Sequence, residues 1–246
     1  MNKKLWSNMK IVVISGGTGY LGKKIIQVLT ETNLAVIAIG LDNHNDFADN
    51  DLVYVVQADI TDFQIIKKIA EDIENKFGKI FAIIHAASAP LIRKPLLDLS
   101  DTDFNLQIQV NVAGGFNLFR SFYPLIEKDG AIIGIMSQAI NPDAPVTPSG
   151  SYLPAKYALR GILKVLTAEC QKKSTRVYGV LPAFMPGGLN SDLPKSIIEF
   201  IQKKSESSDI TDPEKVARVI KDLVNNKITN ADGKAITIPN MTMVDL

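Results

Sequence analysis

Seven short runs of apolar, largely β-branched residues, at 10–15, 35–40, 53–56, 80–85, 131–136, 176–181 and 235–238, are separated by longer stretches of helical period. That alternation is the pattern of β-α-β units laid side by side in a parallel sheet. Most of the runs are apolar throughout, as strands covered on both faces are, and the period-2 alternation of a half-exposed antiparallel sheet is missing. Helices are predicted over 22–32, 62–77, 102–126, 151–173, 193–205 and 213–225. Two of them open on capping-box signatures, Thr61-Asp62-Phe63-Gln64 and Thr211-Asp212-Pro213-Glu214, the second with a proline early in the first turn. Crossovers between parallel strands are right-handed, so the expected fold is α/β: a three-layer doubly wound (Rossmann) arrangement with a seven-stranded parallel sheet.

At 246 residues and 46% hydrophobic content the chain buries a substantial core. No low-complexity linker or repeat divides it, so residues 9–246 are expected as one domain after a flexible tail over 1–8, with an irregular substrate loop over about 182–210. The balance of 27 basic against 26 acidic residues gives no electrostatic reason for a nucleic-acid or membrane partner. The apolar run after Lys3 and Lys4 breaks at Ser15-Gly16-Gly17, too early for a targeting helix, and no stretch approaches the ~18 apolar residues of a membrane span. The single cysteine, Cys170, forms no internal disulfide and no Cys/His cluster has metal-ligand spacing, so a reducing cytoplasm and a metal-free site are expected.

The first run ends in Ser15-Gly16-Gly17-Thr18-Gly19-Tyr20-Leu21-Gly22 and a helical pattern follows at once. In that context a glycine turn reads as a dinucleotide site: positive φ and close approach to a pyrophosphate exclude a Cβ, while N–H groups at the helix start favour the negative charge. The same glycines would also suit a tight β-α turn with no ligand. After the second run, Gly40-Leu41-Asp42-Asn43 offers no Arg or Lys for a 2′-phosphate, and Asp42 favours NAD over NADP. Asp59, beyond the third run, stands where an adenine amino group would be met, or else serves as a turn residue.

Tyr152 and Lys156 stand four apart at the start of a helix and so share one face. A phenol of ordinary pKa ~10 is a poor base at neutral pH, and a neighbouring ammonium favours its ionised form. Ser137 closes the fifth run at the same sheet edge. Asn111 is a polar residue in a mostly apolar helical stretch and reads equally as a satisfied buried amide.

In this order the residues resemble the short-chain dehydrogenase/reductase family over about 11–240. Its members place a glycine-rich turn after strand one, an Asp after strand three, an Asn in the fourth main helix, a Ser after strand five and then Tyr-x-x-x-Lys. The resemblance implies a catalytic set of Asn111, Ser137, Tyr152 and Lys156. It implies a cofactor set of Gly16, Thr18, Gly19, Tyr20, Leu21, Gly22, Asp42, Asp59, Ile60, Ala86, Ala87, Tyr152, Lys156 and Pro182, for NAD or NADP with NAD favoured. The spacing Gly16-x-x-Gly19-x-x-Gly22 and His85-Ala86-Ala87-Ser88, where many members carry Asn-Asn-Ala-Gly, are similar to the extended or atypical branches. His85 therefore reads as a cofactor-wall or packing residue. Pro182-Ala183 replaces the usual Pro-Gly, Met185-Pro186-Gly187-Gly188 lacks the usual carboxamide-holding threonine, and 141–145 stands as an insertion between Ser137 and Tyr152.

The implied activity is NAD(P)-dependent interconversion of a carbonyl and an alcohol, with Tyr152 exchanging the proton, Lys156 lowering its pKa and holding the nicotinamide ribose, Ser137 orienting the carbonyl, and Asn111 positioning a water that links Lys156 to solvent. A redox sensor without turnover is the alternative, and an epimerase or dehydratase the third reading. Leu91, Ile92, Ile140, Val146, Phe184 and Met185 are expected pocket walls, which suits a partly apolar small molecule. Arg93 and Lys94 either meet an acidic group or are solvated surface. By analogy a homodimer or homotetramer is expected, paired through 102–126 and 151–173, the first of which carries Phe116, Phe119, Phe122 and Tyr123.

Overall fold

Each of the seven apolar runs is a strand. The computed structural model describes residues 6–42, 46–141, 148–204 and 210–246. Strands β1 (Ile11–Ser15), β2 (Ala35–Gly40), β3 (Val53–Gln57), β4 (Ile80–His85), β5 (Ile126–Ile135), β6 (Arg176–Pro182) and β7 (Lys234–Ile238) pair in parallel. These seven lie in the order β3-β2-β1-β4-β5-β6-β7, so the strand order reverses between β1 and β4, the position at which such sheets open a ligand crevice. Among the described residues there are eight strands rather than seven. After β7 the chain turns at Pro239, the Thr242 N–H donates to Thr237 Oγ1, and β8 (Met243–Asp245) returns antiparallel to β7. Three residues of mixed polarity carry too short a pattern to be read as a strand.

The sheet is covered on both faces because its side chains alternate. Ile11 and Val13 pack on one side with helices α2 (Phe63–Phe77), α4 (Gly114–Phe122) and α5 (Tyr152–Glu169); Val12 and Ile14 pack on the other with α1 (Tyr20–Thr30) and α7 (Pro213–Val224). On α1, Ile25, Ile26, Val28 and Leu29 are buried at helical spacing, and α1 packs along α7, which buries Val216, Ala217, Val219, Ile220, Leu223 and Val224.

Several boundaries differ from the sequence pattern. The helix expected over 102–126 is α3 (Asp101–Ile108), a π-turn at Gln109–Ala113, α4 and a 3-10 turn at Tyr123–Leu125, where Pro124 ends the helical run. The helix expected over 193–205 is α6 (Lys195–Lys204), with residue 205 outside the described residues. Both capping boxes are one residue displaced. Asp62 caps α2 by accepting from Gln64 and Ile65 N–H, and Asp212 caps α7 by accepting from Glu214 N–H; a short carboxylate adjacent to the first turn reaches these donors directly. Within the tail expected over 1–8, Trp6 is anchored: it is 3% exposed, stacks on Phe77 at 4.6 Å and donates to the Asp51 carbonyl. Apart from Asn141, the insertion at 141–145 lies outside the described residues, as does Val146.

Candidate active site

The carboxyl ends of β1, β4, β5 and β6 open onto a cleft of about 1520 Å³. At one end lies the turn from β1 into α1. Gly16 has φ +69, and a Cβ there would stand 2.7 Å from the Ala87 nitrogen, so the turn is pressed against the start of the loop after β4. Helix α1 starts at Tyr20 behind Gly19, with no side-chain cap and no acidic residue in its first turn. Its leading N–H groups, which have no intrahelical acceptor, are thus presented to a cleft lined by Gly16, Thr18, Gly19, Tyr20, Leu21 and Gly22. Asp42, Asp59, Ile60, Ala86, Ala87 and Pro182 line the same cleft. Asp59 is exposed and accepts from the Thr61 N–H and hydroxyl, both at 2.8 Å, so its turn role and its place in the cleft coexist. Lys23 points elsewhere, into an ion pair with Asp46. A backbone cradle that a Cβ would fill, open N–H groups and a carboxylate at each of the next two strand ends together fit a dinucleotide.

At the other end, Ser137, Tyr152 and Lys156 converge on the cleft. Ser137 lies two residues beyond β5 in extended conformation, and its Oγ accepts from Ala139 N–H and also hydrogen-bonds Tyr152. Lys156, one turn along α5, is 3% exposed; its Nζ donates to the Ile135 carbonyl at 2.9 Å and lies 5.4 Å from the Tyr152 ring centre. Burial pushes the Lys156 ammonium down to about 7. Burial also raises the Tyr152 phenol above its ordinary value, and the group pulling it back is Ser137. Lys156 is itself desolvated and tied to a backbone carbonyl beside the phenol.

Asn111 does not join this group at the cleft. It lies wholly buried on the π-turn, its side-chain nitrogen donating to the Gln107 carbonyl and to Gln107 Oε1 at 2.8 Å. Its backbone carbonyl accepts from His85 Nε2 at 3.1 Å. Gln107 in turn donates to the Ala89 and Pro90 carbonyls, fastening the loop after β4. Sequence reasoning passed over Gln107, although two amides four apart in an apolar helix are a legible sign of a buried network.

Of the expected walls, Leu91, Phe184 and Met185 line the cleft; Ile92 does not, and Ile140 is fully buried in the core. Arg93 is not merely solvated surface. Its guanidinium reaches across to Asp192 at 3.1 and 3.2 Å, to Asn190 Oδ1 at 2.9 Å and to the Leu189 carbonyl, clamping the loop after β6. Lys94 pairs with Asp103 outside the cleft. Tyr20 donates to the Pro186 carbonyl, so the glycine turn touches that loop as well.

Residues 21–239 match the family model described as enoyl-(acyl carrier protein) reductase. The chain is 24% identical over 242 residues to the 3-oxoacyl-(acyl-carrier-protein) reductase of Thermotoga maritima, covering 93% of this chain and 96% of that protein. It is 25% identical over 214 residues to the acetoacetyl-CoA reductase of Synechocystis sp., covering 85% of each. The crystal structure of a short-chain dehydrogenase/reductase from Brucella melitensis has the same fold, with a TM-score of 0.86 at 23% identity over 96% of this chain and 97% of that one. The chain belongs to the short-chain dehydrogenase/reductase family, and its reductase relatives mark it as an NAD(P)-dependent oxidoreductase.

Proposed function

We propose that this protein interconverts a carbonyl and an alcohol with a nicotinamide dinucleotide, and that Tyr152 exchanges the proton with the substrate oxygen. The observation that carries the reading is the meeting of Ser137, Tyr152 and Lys156 in the cleft that also holds the glycine turn. The bound cofactor supplies or accepts the hydride. Ser137 orients the carbonyl and, through its bond to Tyr152, favours the phenolate during proton exchange. Lys156 holds the nicotinamide ribose and adds positive charge beside the phenol whenever it is protonated. Gly16, Thr18, Gly19, Tyr20, Leu21 and Gly22 cradle the pyrophosphate, Asp59 and Ile60 face the adenine, and Ala86, Ala87 and Pro182 wall the cofactor. Asp42 favours NAD over NADP, a choice supported by the lack of Arg or Lys in Gly40-Leu41-Asp42-Asn43. Asn111 keeps a structural place behind the site.

The described part of the substrate loop expected over about 182–210 borders a small, partly apolar substrate, a role supported by Phe184, Met185, Leu189 and Leu193 in the cleft wall. Residues 9–246 act as one domain in a reducing cytoplasm, and copies pair through α3–α5 as a homodimer or homotetramer. No helix among the described residues is long and apolar enough to cross a membrane.

The test follows NADH and NADPH consumption over a panel of ketones and aldehydes. Tyr152→Phe is expected to lower kcat by at least ~100-fold while NADH still binds, since general acid–base catalysis contributes that order. Full turnover by the variant sinks the assignment, and tight NADH binding with no turnover by the wild type on any substrate returns the redox-sensor reading.

A further inference from the structure

His85 is fully buried at the end of β4, between the nucleotide turn and the helices that carry the reacting groups. Its two ring nitrogens are both engaged, on opposite sides: Nδ1 lies 2.8 Å from Ser15 Oγ and Nε2 lies 3.1 Å from the Asn111 carbonyl. A carbonyl only accepts, so Nε2 carries a hydrogen; the Ser15 hydroxyl can donate or accept, and with a neutral ring it donates to Nδ1. Full burial disfavours a charge on the ring, and the neutral ring that makes both contacts is the Nε2–H tautomer. Burial first, and the charge of Lys156 second, lower its pKa to about 3, in agreement with that geometry. Gly115 leaves room for it: a Cβ there would stand 3.0 Å from the imidazole, while Phe119 meets the ring edge-on at 6.0 Å.

Each arm of the imidazole ends on a part of the site. Ser15 also lies 3.5 Å from the Ala87 N–H, and Ala87 is the wall against which Gly16 is pressed. Asn111 belongs to the π-turn, which packs against α5, the helix of Tyr152 and Lys156. We propose that His85 is a positioning residue of the proposed oxidoreductase, one arm fixing the nucleotide cradle through Ser15 and the other fixing the catalytic helix through the Asn111 carbonyl. This rests on the oxidoreductase reading only for its kinetic half.

The two arms separate by substitution. In His85→Asn the amide oxygen falls near the Nδ1 position and keeps the Ser15 arm alone; in His85→Gln the amide nitrogen falls near Nε2 and keeps the Asn111 arm alone. His85→Asn is expected to lower kcat by ~10–100-fold and to alter the pH profile, with NADH affinity little changed, whereas His85→Gln restores most of kcat; misplacement by about 1 Å carries losses of this size. Ser15→Ala and His85→Gln are expected to weaken NADH binding several-fold, read from the fluorescence of bound NADH without any substrate. The protein has two histidines, so nitrogen-15 NMR with His44→Gln as the assignment control reads the tautomer directly. An Nε2–H ring unchanged from pH 5 to 9 is expected. The proposal is overturned by a protonated or Nδ1–H ring, or by folded Asn and Gln variants that match the wild type in kcat, pH profile and NADH affinity. If the wild type turns over nothing, the oxidoreductase reading fails by itself, and the tautomer and NADH arms still decide the place of His85.

Discussion

The ammonium of Lys156 is held under a structural penalty. It is 3% exposed, bonded to the Ile135 carbonyl, and burial lowers it from 10.5 to about 7. Below pH 7 both folded and unfolded chains carry the proton, and the folded state bears the full desolvation cost. Between 7 and 10.5 the unfolded chain keeps a proton that the folded one has released, so stability rises with pH across that window. Lys156→Met removes the penalty. Below pH 7 it is expected to be more stable by up to about 5 kcal/mol, from 1.36 kcal/mol per pKa unit, less about 1 kcal/mol for the lost bond to the carbonyl. Urea unfolding at pH 6, 7.5 and 9 checks this: the advantage of the variant shrinks as pH rises while its turnover is lost throughout. Tyr152, Lys156 and Ser137 were legible because their placement follows from helix spacing and strand ends. His85 and Arg93 were not, since what each does depends on partners 26 to 99 residues away.

At the scale of elements, the seven parallel strands were readable because an apolar run covered on both faces has almost no alternative environment. Helix boundaries were less so. A capping box and an Asp cap share the same letters, and only the geometry of the first turn separates Thr61 from Asp62. Asp62→Ala and Asp212→Ala are each expected to cost about 1 kcal/mol, whereas Thr61→Ala leaves α2 its cap and loses only the side-chain contact to Asp59. Urea midpoints for the three variants check the assignment; a Thr61→Ala loss larger than that of Asp62→Ala would return the cap to Thr61. The π-turn at Gln109–Ala113 carried no signal of its own. The amides of Gln107 and Asn111 on either side of its start are the trace it leaves in the sequence, and a polar pair reads the same in an unbroken helix.

On the scale of the whole molecule, the aromatic surplus of 102–126 is smaller than its composition suggests. Phe119 and Phe122 are core residues at 2% and 0% exposure, and Phe116 remains outside at 49% beneath the Arg120 guanidinium. The stronger case for pairing lies on α5, where Tyr157 and Val165 are 46% and 57% exposed with Gly161 midway between them. Positions four apart form one stripe, and nothing stands within 4 Å of where a Gly161 Cβ would be, so the stripe has room for a second helix to approach closely. In a two-fold interface the same stripe meets itself, and a single substitution acts twice. Sedimentation at micromolar concentration is expected to give a multiple of the 26.9 kDa chain for the wild type, and Val165→Glu is expected to shift it to 26.9 kDa. The shift follows because burying each Val is worth about 1.5–3 kcal/mol and a buried unpaired carboxylate costs more than that. A wild type that sediments only at 26.9 kDa ends the pairing proposal, and a Val165→Glu variant that stays oligomeric moves the interface off this stripe.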